Sequence, residues 1–218
     1  MNKYYIFDFD STIINCEALD ELASIALRNR LDRDQVVAEI KNITNLGMEG
    51  KVSFSESLNR RFKLLAANKE HIDELVGILK NRFTKSILDN KEFFIKNADF
   101  IYVITGGFRD YVLPVISNFG IAEEHILANE FIFNEKGDVV GYNKNNPLSR
   151  SGGKAEAVKG LNLSGEVIVI GDGYSDYEIK AGGAAHKFIA FTENVRREKV
   201  VERADITISD FKEIINGI

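Results

Sequence analysis

The sequence predicts an α/β fold: a Rossmann-like parallel-sheet core with a helical cap inserted after the first strand and a small β-hairpin. Three observations carry this. Short apolar runs at Tyr4–Phe7, Phe100–Ile104 and Val167–Ile170 read as buried strands. Each ends in a polar or glycine-rich cluster, at Asp8–Thr12, Thr105–Gly107 and Gly171–Gly173, and a helical pattern follows each one. That alternation is what parallel strands joined by crossover helices produce. Residues 15–84, between the first two runs, show helical patterns and no strand signal.

Within residues 15–84, Ala18, Leu19, Leu22, Ala23 and Ala26 recur at helical spacing, as do Phe54, Leu58, Phe62 and Leu65. Glu49-Gly50-Lys51 reads as a turn, and Ser53 as an N-cap with Glu56 three residues on. The expected division is a core of residues 1–14 and 85–218 and a cap of residues 15–84. Phe131–Phe133 and Val139–Tyr142 flank Asn134–Asp138 as the arms of a hairpin. Gly152-Gly153 opens a helix containing Lys154, Ala157 and Val158, and the tail from Ala204 to Ile218 reads as a last strand and helix.

Composition excludes several classes. The chain has 218 residues, 44% hydrophobic and 28% charged, which is a globular balance rather than a disordered one. No apolar run approaches the roughly 20 residues of a spanning helix, so no membrane association is expected. Cys16 is the single cysteine, which rules out an intramolecular disulfide. Met1-Asn2-Lys3 leads straight into Tyr4–Phe7 without the pattern of a signal peptide, so a reducing, cytoplasmic setting is expected. The net charge of −5 with no basic stripe argues against broad nucleic-acid binding. His71, His125 and His186 lack metal-ligand spacing and read as structural or surface residues. Cys16 reads as a small residue at a helix start rather than a nucleophile.

In a parallel sheet of this kind the site forms beyond the carboxyl ends of the strands, so the polar clusters are expected at one edge. Asp8 and Asp10 are two apart, which on a strand means one face. Two adjacent carboxylates repel unless a cation joins them, and magnesium takes such hard oxygen ligands. Asp8 can then attack a phosphoryl group while Asp10 gives and takes the proton of the leaving alcohol and of water. Thr105, Gly106 and Gly107 offer a hydroxyl and open backbone N–H groups for phosphate oxygens. Lys154 can neutralise the phosphate and Asp8. Asp172 is placed to share the metal with Asp8, and Asp176, one helical turn on, to hold that site in shape. Each feature alone is as well read as an ordinary turn or surface group; their order along the chain makes the joint reading the stronger one.

Those motifs resemble the haloacid-dehalogenase-like superfamily, in the order Asp8-x-Asp10-x-Thr12, Thr105, Lys154 and Gly171-Asp172-Gly173-x-x-Asp176. The resemblance extends to the phosphoserine phosphatase family through Glu17, Asp20–Ala23, Gly47–Lys51, Phe54–Leu58 with Arg61, Thr105–Arg109, Ala128–Glu130, Ser151–Lys154 and Asn194-Val195. It implies a magnesium-dependent phosphomonoester hydrolase that converts phosphoserine to serine and phosphate through an aspartyl-phosphate, a step of serine biosynthesis. In that reading Asp8, Asp10, Thr105 and Lys154 are catalytic. Magnesium is held by Asp8, the Asp10 carbonyl and Asp172, with Asp176 in the metal set. Glu17 accepts from the substrate ammonium and Arg61 grips its carboxylate in a two-pronged contact. Met48 and Phe54 close over the site, and Thr105, Gly106, Gly107 and Ser175 contact the substrate.

The chain departs from the family's pattern in three places. Thr105 replaces the commoner serine, Ser175 stands where Asn or Thr is usual, and Phe83–Ile87 lacks the usual Pro-Gly where the cap returns to the core. Three alternatives stay open: a phosphatase for another amino-alcohol or sugar phosphate, a phosphotransferase or mutase, and a non-enzymatic binding protein. Monomer and homodimer are equally compatible with the sequence.

Overall fold

All three strand runs form one sheet, but the strands differ in length from the sequence expectation. A computed structural model describes residues 2–217; the expected bounds at Met1 and Ile218 lie outside the described residues. The strands are β1 (Lys3–Phe7), β2 (Ile101–Phe108), β3 (Ile126–Asn129), β4 (Phe131–Phe133), β5 (Val139–Tyr142), β6 (Glu166–Gly171), β7 (Lys187–Phe191) and β8 (Ile206–Ile208). Six make a parallel sheet in the order β3-β2-β1-β6-β7-β8, and β4 and β5 pair as the antiparallel hairpin. Counting only the parallel strands, this is the doubly wound order 3-2-1-4-5-6, whose switch point falls between β1 and β6.

Four helices separate β1 from the rest of the core: α1 (Ala18–Ala26), α2 (Arg33–Met48), α3 (Phe54–Leu64) and α4 (Lys69–Leu79). Then come α5 (Lys85–Asp89), α6 (Lys91–Lys96), α7 (Arg109–Ile116), α8 (Gly153–Gly160), α9 (Tyr174–Ala181), α10 (Glu198–Val201) and α11 (Lys212–Ile215). Ser53 caps α3 as expected, its Oγ accepting from Glu56 N at 3.2 Å. The tail forms β8 and α11 as expected.

The apolar spacing read in the sequence becomes the interior. Leu22, Leu58, Leu75 and Leu79 of the inserted helices are fully buried in the same cluster as Phe7, Val103 and Ile170 of the sheet. A smaller cluster of Ala23, Leu27, Val36, Val37 and Ile40 joins α1 to α2. The hairpin ties the two parts together. Phe131 stacks on Phe108 at 3.7 Å and 3°, and Phe62 of α3 meets Tyr142 edge-on at 5.0 Å. Asn194 ties the chain where it leaves and re-enters the core: its Nδ2 donates to Ser11 O at 3.0 Å and to Thr84 Oγ1 at 2.6 Å. Thr84 Oγ1 in turn donates to Thr12 O. These bonds occupy the segment that lacks Pro-Gly.

The histidines hold structure. His71 forms a reciprocal cap with Asn68, His125 stacks on Tyr102 at 4.1 Å, and His186 Nδ1 accepts from Val167 N at 3.0 Å. Among the described residues no helix is long and apolar enough to cross a membrane.

Candidate active site

The switch point brings the acidic motifs together. β1 and β6 are neighbours, with Phe7 opposite Ile170 and Asp8 N donating to Ile170 O at 3.0 Å. The chain therefore delivers Asp8 and Asp172 side by side at the carboxyl edge. Lys154, near the start of α8, points into this acid cluster. Its Nζ donates to Asp8 Oδ1 and to Asp176 Oδ1, both at 2.7 Å, and all three residues are buried. Burial pulls the ammonium pKa down, but the two carboxylates outweigh it and hold it above the ordinary lysine value. Asp176 is pushed up to about 7 by burial and by Asp8, against the pull of Lys154. Its other oxygen accepts from Gly173 N at 3.0 Å. Gly171 has to be glycine here, because any Cβ would run into the Asp176 carboxylate.

Strand alternation is not what places Asp10, contrary to the sequence argument. β1 ends at Phe7, and Phe9–Ile13 form a tight π-type turn with Asp10 extended and Ser11 left-handed at φ 52°. That turn folds the Asp10 carboxylate back onto α1, where Oδ1 accepts from Ala18 N at 2.7 Å. Asp10 thus caps the helix, while Glu17 at the N-cap position makes no cap bond with its side chain. Burial, Glu17 and Asp8 together raise the Asp10 pKa well above the carboxylate range, outweighing Ala18 N–H and Arg61. A carboxyl held protonated is what a general acid requires.

The second motif also differs from expectation. Thr105-Gly106-Gly107 lies within β2 rather than in a turn after it, where pairing with β3 shifts register between Ile104 and Phe108. Thr105, Gly106 and Gly107, within this irregular stretch, all line the site. Thr105 Oγ1 accepts from Gly107 N at 2.8 Å, which leaves the hydroxyl proton free to donate. Asn129 Nδ2 holds Gly106 O at 2.9 Å and Leu148 O at 3.0 Å. The Phe54 ring lies so close on Gly106 that a Cβ there would overlap it.

The residues predicted for catalysis and substrate contact line one pocket. Asp8, Asp10, Thr105, Gly106, Gly107, Lys154 and Ser175 come from the core, and Glu17, Met48, Phe54 and Arg61 from the inserted segment. Leu19, Phe108 and Tyr111 line it too and were not predicted. Glu17 Oε1 accepts from Ser11 Oγ at 2.8 Å. Cys16 is half-buried, and its thiol is pushed up to about 12 by burial and by Asp10.

Asp8, Asp172 and Asp176 each place a carboxylate oxygen within 4.8 Å of the others, and all three are buried. Hard oxygen donors crowded in this way fit a divalent cation such as magnesium. The Asp10 side chain is outside this group, and Asp176 already spends both oxygens on Lys154 and Gly173, consistent with holding the site in shape. Thr12 Oγ1 donates to Asp172 Oδ1 at 3.2 Å. Arg197 was missed by sequence reasoning. It is buried, in ion-pair contact with Asp172 through Nη1, and its Nη2 reaches Glu17 Oε1 at 3.4 Å. Nothing in the charged stretch Arg196-Arg197-Glu198 separates it from its neighbour Arg196, which pairs with Glu198 on the surface.

A parallel sheet with Asp8 and Asp172 at its switch point and a lysine bonded to Asp8 and Asp176 suits phosphoryl transfer. A model of the haloacid dehalogenase-like hydrolase family matches residues 5–179. The chloroplastic phosphoserine phosphatase of Arabidopsis thaliana is 36% identical over 216 residues, covering 97% of this chain and 70% of that protein. Among solved structures, a phosphoserine phosphohydrolase-like protein from Francisella tularensis superposes with a TM-score of 0.89 at 34% identity over all of both chains. A phospho-aspartyl intermediate analogue of phosphoserine phosphatase superposes at 0.79 with 28% identity, covering 100% of this chain and 99% of that one. The chain belongs to the haloacid dehalogenase-like hydrolases and, within them, to the phosphoserine phosphatase family.

Proposed function

We propose that the protein hydrolyses phosphoserine to serine and phosphate, with residues 15–84 acting as a cap over residues 1–14 and 85–218. One observation carries this reading: a single pocket is lined by Asp8, Asp10, Thr105 and Lys154 and, from residues 15–84, by Glu17 and Arg61. The first group suits a phosphoryl centre, and the second suits the ammonium and carboxylate of a small zwitterion. The phospho-aspartyl analogue known for a relative supports a covalent route.

In this mechanism Asp8 attacks phosphorus and forms an acyl-phosphate while the serine alkoxide leaves. Asp10, held protonated, gives its proton to that oxygen, then takes one from the water that attacks the intermediate. The Thr105 hydroxyl, the Gly106 N–H and the third N–H of Lys154 hold the phosphoryl oxygens. Ser175 contacts the substrate at the mouth between α9 and the cap. Met48 and Phe54 exclude water. Asp8 and Asp172, with the Asp10 carbonyl, would hold magnesium, Asp176 keeping the set in shape; the ion when bound would spread the charge of the phosphoryl oxygens. A reducing, cytoplasmic setting and a place in serine biosynthesis belong to the same proposal.

The test is phosphate release from L-phosphoserine and from a panel of other phosphomonoesters, with and without magnesium. Strong magnesium-dependent preference for phosphoserine is expected, lost in Asp8→Asn. Equal rates across the panel would overturn the substrate assignment. Phosphate appearing on added alcohols instead of in solution would make the protein a transferase.

A further inference from the structure

We propose that Asp20 and Thr44 are positioning residues for Arg61 and so set how well the protein selects a substrate carboxylate; this rests on the role given to Arg61 above. Three helices meet at this point, α1 with Asp20, α2 with Thr44 and α3 with Arg61. All three side chains are buried, with 6%, 1% and 5% of their surfaces exposed. Among the described residues Arg61 has no acidic partner within ion-pair distance. A buried guanidinium costs several kcal/mol to desolvate, so whatever holds it decides where it points. Its Nε donates to Ser57 O of its own helix at 3.4 Å, and its Nη1 donates to Thr44 Oγ1 at 3.3 Å. Among the described residues Thr44 is thus its one side-chain hydrogen-bond partner, and Arg61 lines the pocket.

The Thr44 hydroxyl has one proton and two lone pairs. Two acceptors compete for the proton, Asp20 Oδ1 at 2.6 Å and Ile40 O at 3.1 Å. The shorter bond, to a carboxylate, wins. Donation to Asp20 aims a lone pair of Thr44 at the Arg61 N–H. Without Asp20 the proton turns to Ile40 O, the usual fallback for threonine in a helix, and the lone pair turns away. Burial and Glu17 raise the Asp20 carboxyl to about 6, against Thr44, Arg61 and Lys41, so it is ionised at neutral pH and above. Asp20 does not line the pocket, so it acts through Arg61 rather than on substrate.

The test compares L-phosphoserine with O-phosphoethanolamine, which keeps the phosphoester and the ammonium but lacks the carboxylate. Thr44→Val is expected to raise KM for phosphoserine roughly five- to tenfold, the loss of one hydrogen bond, with kcat within about twofold. Its kcat/KM for phosphoethanolamine should be unchanged, and Thr44→Ser should restore wild-type KM. Asp20→Asn, which keeps size and an acceptor oxygen, should shift KM the same way by a smaller factor and serves if Thr44→Val does not fold. Equal losses on both substrates, or a fall in kcat with KM unmoved, would overturn the proposal and leave the pair as a tie between helices. Arg61→Ala separates the two readings. If it fails to distinguish the substrates, the carboxylate role of Arg61 falls; if it does and Thr44→Val does not, only the positioning role falls.

Discussion

The two buried cations that line the pocket, Lys154 and Arg61, are held in opposite ways. Lys154 is locked between Asp8 and Asp176 by two 2.7 Å charge-assisted bonds. Arg61 is held only by neutral oxygens at 3.3 and 3.4 Å. The first arrangement is complete before any substrate arrives, as electrostatic catalysis requires. The second leaves a buried guanidinium with no carboxylate at ion-pair distance among the described residues, and in the proposed reading the substrate carboxylate takes that place. The contrast teaches that, in the proposed reading, the phosphoryl-binding residues are fixed by ion pairing, whereas the residue assigned to selection is left open to a ligand.

Breaking the core set around Lys154 should give the largest effects. Asp10→Asn removes the proton donor and should lower kcat roughly 10²- to 10⁴-fold with little change in melting temperature, measured by steady-state kinetics and thermal unfolding. Lys154→Met strands two buried carboxylates. Loss of a buried partner costs about 3–5 kcal/mol, so denaturant unfolding should show a drop of that order along with loss of activity. Unchanged stability would mean that the acids relax by protonation or hydration.

The residues around Arg61 should respond in the other direction. Asp20 has a folded pKa of about 6, above its unfolded value near 4. A raised carboxylate penalises folding fully above pH 6, progressively less between 6 and 4, and not at all below. Asp20→Asn should therefore be more stable than the parent at pH 8, by up to about 3 kcal/mol, with the gain fading as pH falls through 6 toward 4. A gain independent of pH would break the assignment. The smallest effect belongs to the surface: Arg150 and Glu156 pair at 2.7 Å but are half exposed, so Glu156→Ala should cost under about 1 kcal/mol.

The readable parts of the molecule were those with local signals. The apolar runs of β1 and β6, the hairpin, the Ser53 cap and the glycine opening of α8 depend on residues close in the chain, and the structure has each of them. β3 and β7 were not singled out. β3 is four residues long at the sheet edge. β7, Lys187–Phe191, is an apolar run bounded by Lys187 and Thr192 that the same criterion would have found. The extent of β2 was misjudged because Thr105-Gly106-Gly107 has turn composition, yet pairing with β3 carries the strand past it.

By itself the sequence determined the α/β pattern, the acidic, hydroxyl and lysine groups at strand and helix ends, and the identity of eleven residues lining the pocket. Motifs at strand ends account for the core residues among them, because a parallel sheet gathers its carboxyl ends at one edge, whereas Glu17, Met48, Phe54 and Arg61 were reached through the family resemblance. Tertiary structure alone decided that Asp10 reaches its place through a π-type turn and a helix cap, and that Arg197 turns inward while Arg196 does not. It also decided that Asp20, Thr44 and Arg61 meet. Those contacts join residues up to 24 positions apart within residues 15–84 and 180 positions apart between Glu17 and Arg197. Their geometry depends on how helices pack on one another and on the sheet, which no local pattern of residues encodes.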